Sequence, residues 1–310
     1  MDQKPDATDE APREVSETEQ VAPVVITRPT WVTWAAVGAC VAIFVGVNLQ
    51  EDKRSLEVLS RFGFLPAEVI WSGAWWGTLS STFVHIDLIH VFFNLYWLWH
   101  LGRLMEDELG SLRLLGFYLG ASLISSTSQL AVSDTTGIGA SGVVYAMFGF
   151  MWRSRSAYPK FQSIIVQQTI KVFFIWLVAC FFLTAAKLMN IANAAHLSGL
   201  VYGVVVAECF VMRQRRAPWI AGAVVLAGAS LIPLWWASWS TSWQWVKVDS
   251  ALAAGRRDEV MERLNTIIKL DPLNVWAYQE RGRLYAELGE REKSDADLKK
   301  AREIETAAKE

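Results

Sequence analysis

Between residues 31 and 239 the chain reads as seven apolar runs, at roughly 31–49, 86–105, 112–131, 140–152, 165–188, 194–212 and 218–239. Most approach the ~20 residues that a helix needs to cross a bilayer. That pattern constrains the fold more than any other feature, because in hydrocarbon only helices and closed barrels satisfy every backbone polar group. The fourth run is too short: at ~1.5 Å per residue it covers about 20 Å of a ~30 Å apolar core. The stretch before it, residues 133–140 (SDTTGIGA), is therefore expected to dip into the membrane as irregular backbone lining a wet cavity.

Composition agrees. The chain is 53% hydrophobic and carries 16 tryptophans, as expected of a membrane protein with an aromatic belt. A net charge of −2 gives nucleic-acid binding no electrostatic support. Cys40, Cys180 and Cys209 all fall within apolar runs and lack the spacing of a metal site or a disulfide framework. They read as small buried hydrophobes, and no metal or cofactor is expected. Residues 1–30 are acidic, contain prolines and have no apolar period, so they read as a disordered tail. A signal peptide would place a short basic region before the apolar run; here the flank is long and acidic, so the first run is read as a retained span.

Arg153, Arg155 and Lys160 follow the fourth run, Arg213, Arg215 and Arg216 the sixth, and Arg103 and Arg113 flank the break between the second and third. Basic residues in short loops mark the cytoplasmic side, which puts the N-terminus in the cytoplasm. Residues 50–82 then lie outside, and after seven spans so does the C-terminus. From residue 243 the chain becomes charged and helical in pattern. Tyr278-x3-Gly282-x2-Tyr285-x3-Gly289, followed by Ser294, Leu298 and Ala301, fits the tetratricopeptide pattern. Gly255, Val260, Leu264 and Ile267 repeat it 34 residues earlier. Two such units are marginal alone, so packing on the membrane domain or self-association is expected, with a peptide or protein as partner.

Three motifs open alternate runs: His85-x4-His90-x3-Asn94, Gly139-Ala140-Ser141-Gly142, and Ala195-His196-x2-Gly199-x3-Gly203. Runs two, four and six point the same way, so these polar residues share one shallow level of the membrane. His90 and Asn94, four apart, share a helix face. Ser141 starts a helix, where unpaired N–H groups favour a developing negative charge. Gly139 and Gly142 permit a tight turn and close helix approach. Ala195, Gly199 and Gly203 form a small-residue ridge that can bring His196 to Ser141, and Tyr145 shares the serine's face. Serine is a weak nucleophile until a base takes its proton. A Gly-Ala-Ser-Gly run alone is usually helix packing, a lone membrane histidine can be a proton relay, and His85 can be an interfacial residue; the coincidence of all four groups at matched helix ends argues for chemistry. A transporter would carry its polar lining on into the cytoplasmic half, whereas here the cluster stops near one face.

These motifs, with Gly102-x3-Glu106-x3-Gly110 and Gly139-x-Ser141-Gly142-Val143-Val144-Tyr145, resemble the rhomboid family of intramembrane serine proteases, in the same order across most of residues 70–212. The resemblance implies an all-α polytopic bundle, with a six-helix core over 31–212, an extra span in 213–242 and a tetratricopeptide-like domain over 243–310. It implies Ser141 as nucleophile and His196 as general base and acid, without an aspartate. His90, Asn94 and the Ser141 N–H would form the oxyanion hole, supported by Tyr145, Gly139, Gly142 and Gly199. Gly102, Glu106, Gly110, Ala195 and Gly203 would be structural, with Glu106 tying the cytoplasmic end of the second span to its loop. Substrates would be transmembrane proteins, cut near the outer face of the lipid bilayer. The alternative is a catalytically silent membrane chaperone or adaptor of the same fold. One departure stands out: the family's Trp-Arg pair in the first external loop is Trp76-Gly77 here, which predicts a looser loop.

Overall fold

The structure, a computed structural model, describes residues 25–308. The expected disordered tail falls mostly on residues 1–24, outside the described residues. The described residues form helices and no strand. Helix α1 (Trp31–Asn48) is followed by three short helices, α2 (Leu56–Arg61), α3 (Ala67–Trp71) and α4 (Gly77–Ser80). Then come α5 (Leu88–Leu109), α6 (Ser111–Ser133), the short α7 (Ser141–Ser154), α8 (Gln167–Ala185), α9 (Asn193–Val211) and α10 (Arg216–Leu231). These and α1 correspond to the seven apolar runs. Four helical segments, Trp31–Asn48, Gln167–Ala185, Asn193–Val211 and Arg216–Leu234, are long and apolar enough to cross a membrane by length and composition. This is an all-helical membrane protein.

The short helix α7 is the centre of the bundle. Val143, Ala146, Phe148, Phe150 and Met151 are fully buried, and the main hydrophobic core forms around them. Helix α9 packs along α7 at backbone contact. A Cβ on Gly199 would fall on the Gly142 carbonyl, one on Gly203 on the Ala146 carbonyl, and one on Gly149 within 2.6 Å of the Leu200 carbonyl. Membrane helices gain little from apolar burial against lipid, so close backbone approach through small residues is what joins them. The small-residue ridge expected on the sixth run is therefore one half of a two-sided seam.

The opposite end of the bundle is closed by ionic groups. The buried Glu106 carboxylate accepts from the Val32 and Thr33 N–H groups (both 2.9 Å), from Thr33 Oγ1 (2.7 Å) and from Ser111 Oγ (2.6 Å). It thus bonds α5 to the start of α6 and also caps α1, where a carboxylate offsets the helix dipole. Gly102 lets α1 approach: its Cβ would sit 3.0 Å from Thr33. Gly110 makes the turn between α5 and α6 at φ +85°.

Asp107 accepts from the Thr27 and Arg28 N–H groups at 2.8 and 2.7 Å, and also binds Lys160. Residues 27–30 therefore depart from the disordered tail expected over 1–30, because a buried carboxylate needs these donors and holds the chain in place. Arg153 pairs with Glu208, joining the far ends of α7 and α9.

Four further helices end the described chain: α11 (Thr241–Ala253), α12 (Arg257–Leu270), α13 (Val275–Glu287) and α14 (Arg291–Ala307). They pack in sequence, with Val248, Ala251, Val260, Leu264, Ile267, Ala277 and Leu284 as their core. Arg281 and Asp297 form a bidentate ion pair at 2.8 Å between α13 and α14, and this pairing raises the arginine's pKa further. The boundary expected at residue 243 falls inside α11, whose N-cap Ser240 accepts from the Trp243 N–H.

Candidate active site

Each of the three motifs starts a helix at the same end of the bundle. Gly139 has φ +97°, and a side chain there would strike His90 at 2.7 Å; only glycine fits this turn. His85 is completely buried behind it. Its Nε2 accepts from the Ala140 N–H at 3.4 Å, while Nδ1 faces the Phe83 carbonyl at 3.1 Å, so the neutral ring carries its proton on Nδ1. The Gly139 N–H donates to the Ser81 carbonyl at 3.1 Å. These contacts fix the turn that presents Ser141 as the first residue of α7.

His196 Nε2 lies 2.8 Å from Ser141 Oγ. The imidazole is buried, and Tyr145 lies alongside it with ring centroids 4.8 Å apart and planes 30° apart. The Tyr145 hydroxyl donates to the Phe173 carbonyl at 3.0 Å, fixing that ring against α8. Among the described residues, His196 Nδ1 has no hydrogen-bond partner, so no carboxylate orients the ring. Orientation comes from Tyr145 and from the helix seam.

The sequence motifs contain no sign of Gln129. Its Oε1, reaching from α6, accepts from the N–H groups of Ala194 (3.0 Å) and Ala195 (3.3 Å). This caps the first turn of α9 directly before His196. A glutamine near the end of an apolar run was the only available signal. Ser125, also on α6, lies under the seam, 2.6 Å from where a Gly142 Cβ would sit.

Ser81, Thr82, Ser125, Ser126, Thr136 and Gly137 line a small cavity beside Ser141. His90 lies against Gly139, close to the serine turn. The Asn94 amide donates one of its two N–H groups to the His90 carbonyl at 2.9 Å, and its Oδ1 is buried without a partner among the described residues. His100 lies outside the site, its ring tilted 54° against Tyr96 with centroids 4.6 Å apart. Among the described residues no cluster of ligand side chains could hold a metal ion.

The comparisons with known proteins agree with this geometry. Residues 72–213 match the rhomboid domain model. Rhomboid protease GlpG from Salmonella paratyphi A is 31% identical over 186 residues, 60% of this chain and 65% of that relative. The GlpG proteins of Salmonella choleraesuis and Salmonella typhi match to the same extent. The chain thus spans just under two thirds of the length of these relatives. The rhomboid domain ends where α9 ends, and α10 to α14 lie beyond it. With its buried serine–histidine contact and its glycine seam, the chain is similar to the rhomboid family over residues 72–213.

Proposed function

We propose that this protein is an intramembrane serine endopeptidase that cleaves transmembrane proteins near the outer face of the membrane. The observation that carries the reading is the 2.8 Å contact between Ser141 Oγ and His196 Nε2 beside a small cavity. The curated relatives, which are named proteases, support it.

The chemistry is acyl transfer. Ser141 Oγ attacks the scissile carbonyl as His196 Nε2 takes its proton. The oxyanion is met by the Ser141 N–H at the start of α7, by His90, and by the second N–H of the Asn94 amide. His196 then protonates the leaving amine, and water in the cavity hydrolyses the ester, with the proton returning to Ser141. The dyad works without a third residue because Tyr145 and the α7–α9 seam hold the imidazole.

Basic residues in the short loops support a cytoplasmic N-terminus, an active site near the outer face and an external C-terminal unit in the cell membrane. The 34-residue spacing and the paired helices α11 to α14 support a tetratricopeptide-like domain over 243–310 that recruits a peptide or protein partner. The alternative is a silent adaptor of the same fold, in which the Ser141–His196 contact forms but takes no acyl group. Fluorophosphonate labelling of the purified protein separates the two. A competent dyad yields a covalent adduct on Ser141 that is lost in His196→Ala; a silent adaptor yields none.

A further inference from the structure

Residues 50–82 carry no span of their own, and Trp76-Gly77 predicts a loose segment. The packing is otherwise. Gly77 is buried, and a Cβ there would meet Leu65 at 3.0 Å and Ile70 at 3.1 Å, so Leu65 and α3 close directly on its backbone. The Trp71 Nε1–H donates to the Pro233 carbonyl at 2.7 Å, across 162 positions of the chain. Trp239 Nε1–H donates to the Ala131 carbonyl at the end of α6 at 2.8 Å. Trp243, in the first turn of α11, is buried in one cluster with Ala67, Ile70, Trp71, Leu130 and Leu234. The turn between α10 and α11 thus grips the external loop and the last turn of α6 together.

Both gripped segments lead to the active site through direct contacts. From the loop, α4 runs into Ser81, whose carbonyl holds the Gly139 N–H two residues before Ser141. From α6, Leu130 and Ala131 adjoin Gln129, which caps α9 two residues before His196. Helix α11 also belongs to the C-terminal unit: Trp243 lies in the loop cluster, and Val248 and Ala251 lie in the core with α12 and α13. A single rigid helix therefore joins the C-terminal unit to the supports of both dyad residues.

We propose that the α10–α11 turn is a positioning element for the active site. Trp71, Trp239 and Trp243 are its positioning residues, through which the C-terminal helices set the order of the Ser141 turn. Such coupling is reciprocal: what loosens the loop loosens the first turn of α11, and the reverse. The catalytic part of this inference rests on the serine-hydrolase reading; the mechanical part does not.

The test is amide hydrogen exchange on the full-length protein in detergent, with Trp71→Phe, Trp243→Ala and, as a control, Trp276→Ala on the exposed face of α13. Trp71→Phe keeps an aromatic ring and removes the N–H together with the five-membered ring. The expected result is an increase of at least about fivefold in exchange over residues 65–83 and at Gly139, the size of one net hydrogen bond. Trp243→Ala should raise exchange over the same residues, and Trp276→Ala should leave them unchanged. The rate of fluorophosphonate labelling at Ser141 should fall at least about threefold in both junction variants and stay unchanged in Trp276→Ala. Unchanged exchange at 65–83 and Gly139, or increases confined to residues 241–253, would overturn the proposal. If the wild-type protein takes no label, the hydrolase reading fails, and exchange at Gly139 alone decides the coupling.

Discussion

Ser141 and His196 stand 55 positions apart, and their side chains meet at 2.8 Å because the backbone of Gly199 lies against the carbonyl of Gly142. The distance between Ser141 and His196 is set by a helix–helix seam rather than by a third polar residue. That has a direct consequence for substitutions along the seam.

Gly199→Ala should be costly to both stability and activity. The added methyl has no space against the Gly142 carbonyl, so α9 must shift, at about 1–3 kcal/mol. A displacement near 1 Å between His196 and Ser141 should lower kcat by roughly 100-fold. Gly38→Ala on α1, where a Cβ meets nothing within 4 Å, should keep full activity and leave thermal stability equal or slightly higher. Peptide-cleavage kinetics and thermal denaturation on both variants check the contrast.

Gln129→Leu preserves bulk but removes the acceptor for the Ala194 and Ala195 N–H groups. Orphaned donors at a buried helix start cost about 1–3 kcal/mol. The expected phenotype is a fall in kcat of tenfold or more, with KM changed little, because the cap orients His196 and touches no substrate. Gln129→Glu, which still accepts, should recover part of the rate.

The ion pairs at the far end of the bundle predict a pH effect away from the catalytic centre. The Lys160 ammonium, in the loop between α7 and α8, has its pKa raised by its hydrogen bond and charge pairing with Asp107, aided by Glu108. A raised folded-state pKa means that this stabilisation is complete below the ordinary lysine value of about 10.4 and is lost as pH rises through the higher folded-state value. The melting temperature of wild type should therefore exceed that of Lys160→Met at pH 7 to 9, and the two should converge as pH climbs above about 10.5. A constant gap at high pH would show that the ammonium charge is not what the contact uses.

The orientation argued from basic loops predicts that alkaline phosphatase fused after the C-terminal helices is active in a bacterial host and that a green fluorescent protein fused there is dark. The opposite pattern would place the active-site end of the bundle in the cytoplasm.

The seven helices and the convergence of Ser141, His196, His90 and Asn94 on one end were legible because hydropathy marks spans and alternation fixes their direction. The short α7 was legible because length alone showed that it could not cross. Tyr145 on the His196 ring followed from helical spacing. Gln129 was not legible, since its partners are backbone N–H groups 65 and 66 positions away that leave no mark in the sequence. Asp107 escaped for the same reason: it organises Thr27 and Arg28, in a stretch that reads as polar tail. Gly77 read as a lost anchor. In three dimensions it is a close-packing position, and the contacts that hold the loop come from Pro233 and Trp243, far along the chain. Local spacing predicts which residues share a helix face, but not which distant segment covers a loop.

If Ser141 and His196 together hydrolyse a peptide bond within the membrane, the purified protein in detergent should cleave a fluorescent transmembrane peptide. Cleavage by wild type is expected at one position in the peptide, with none above background for Ser141→Ala or His196→Ala. A folded wild-type protein that leaves a panel of such peptides intact, or cleavage that survives Ser141→Ala, would contradict this reading.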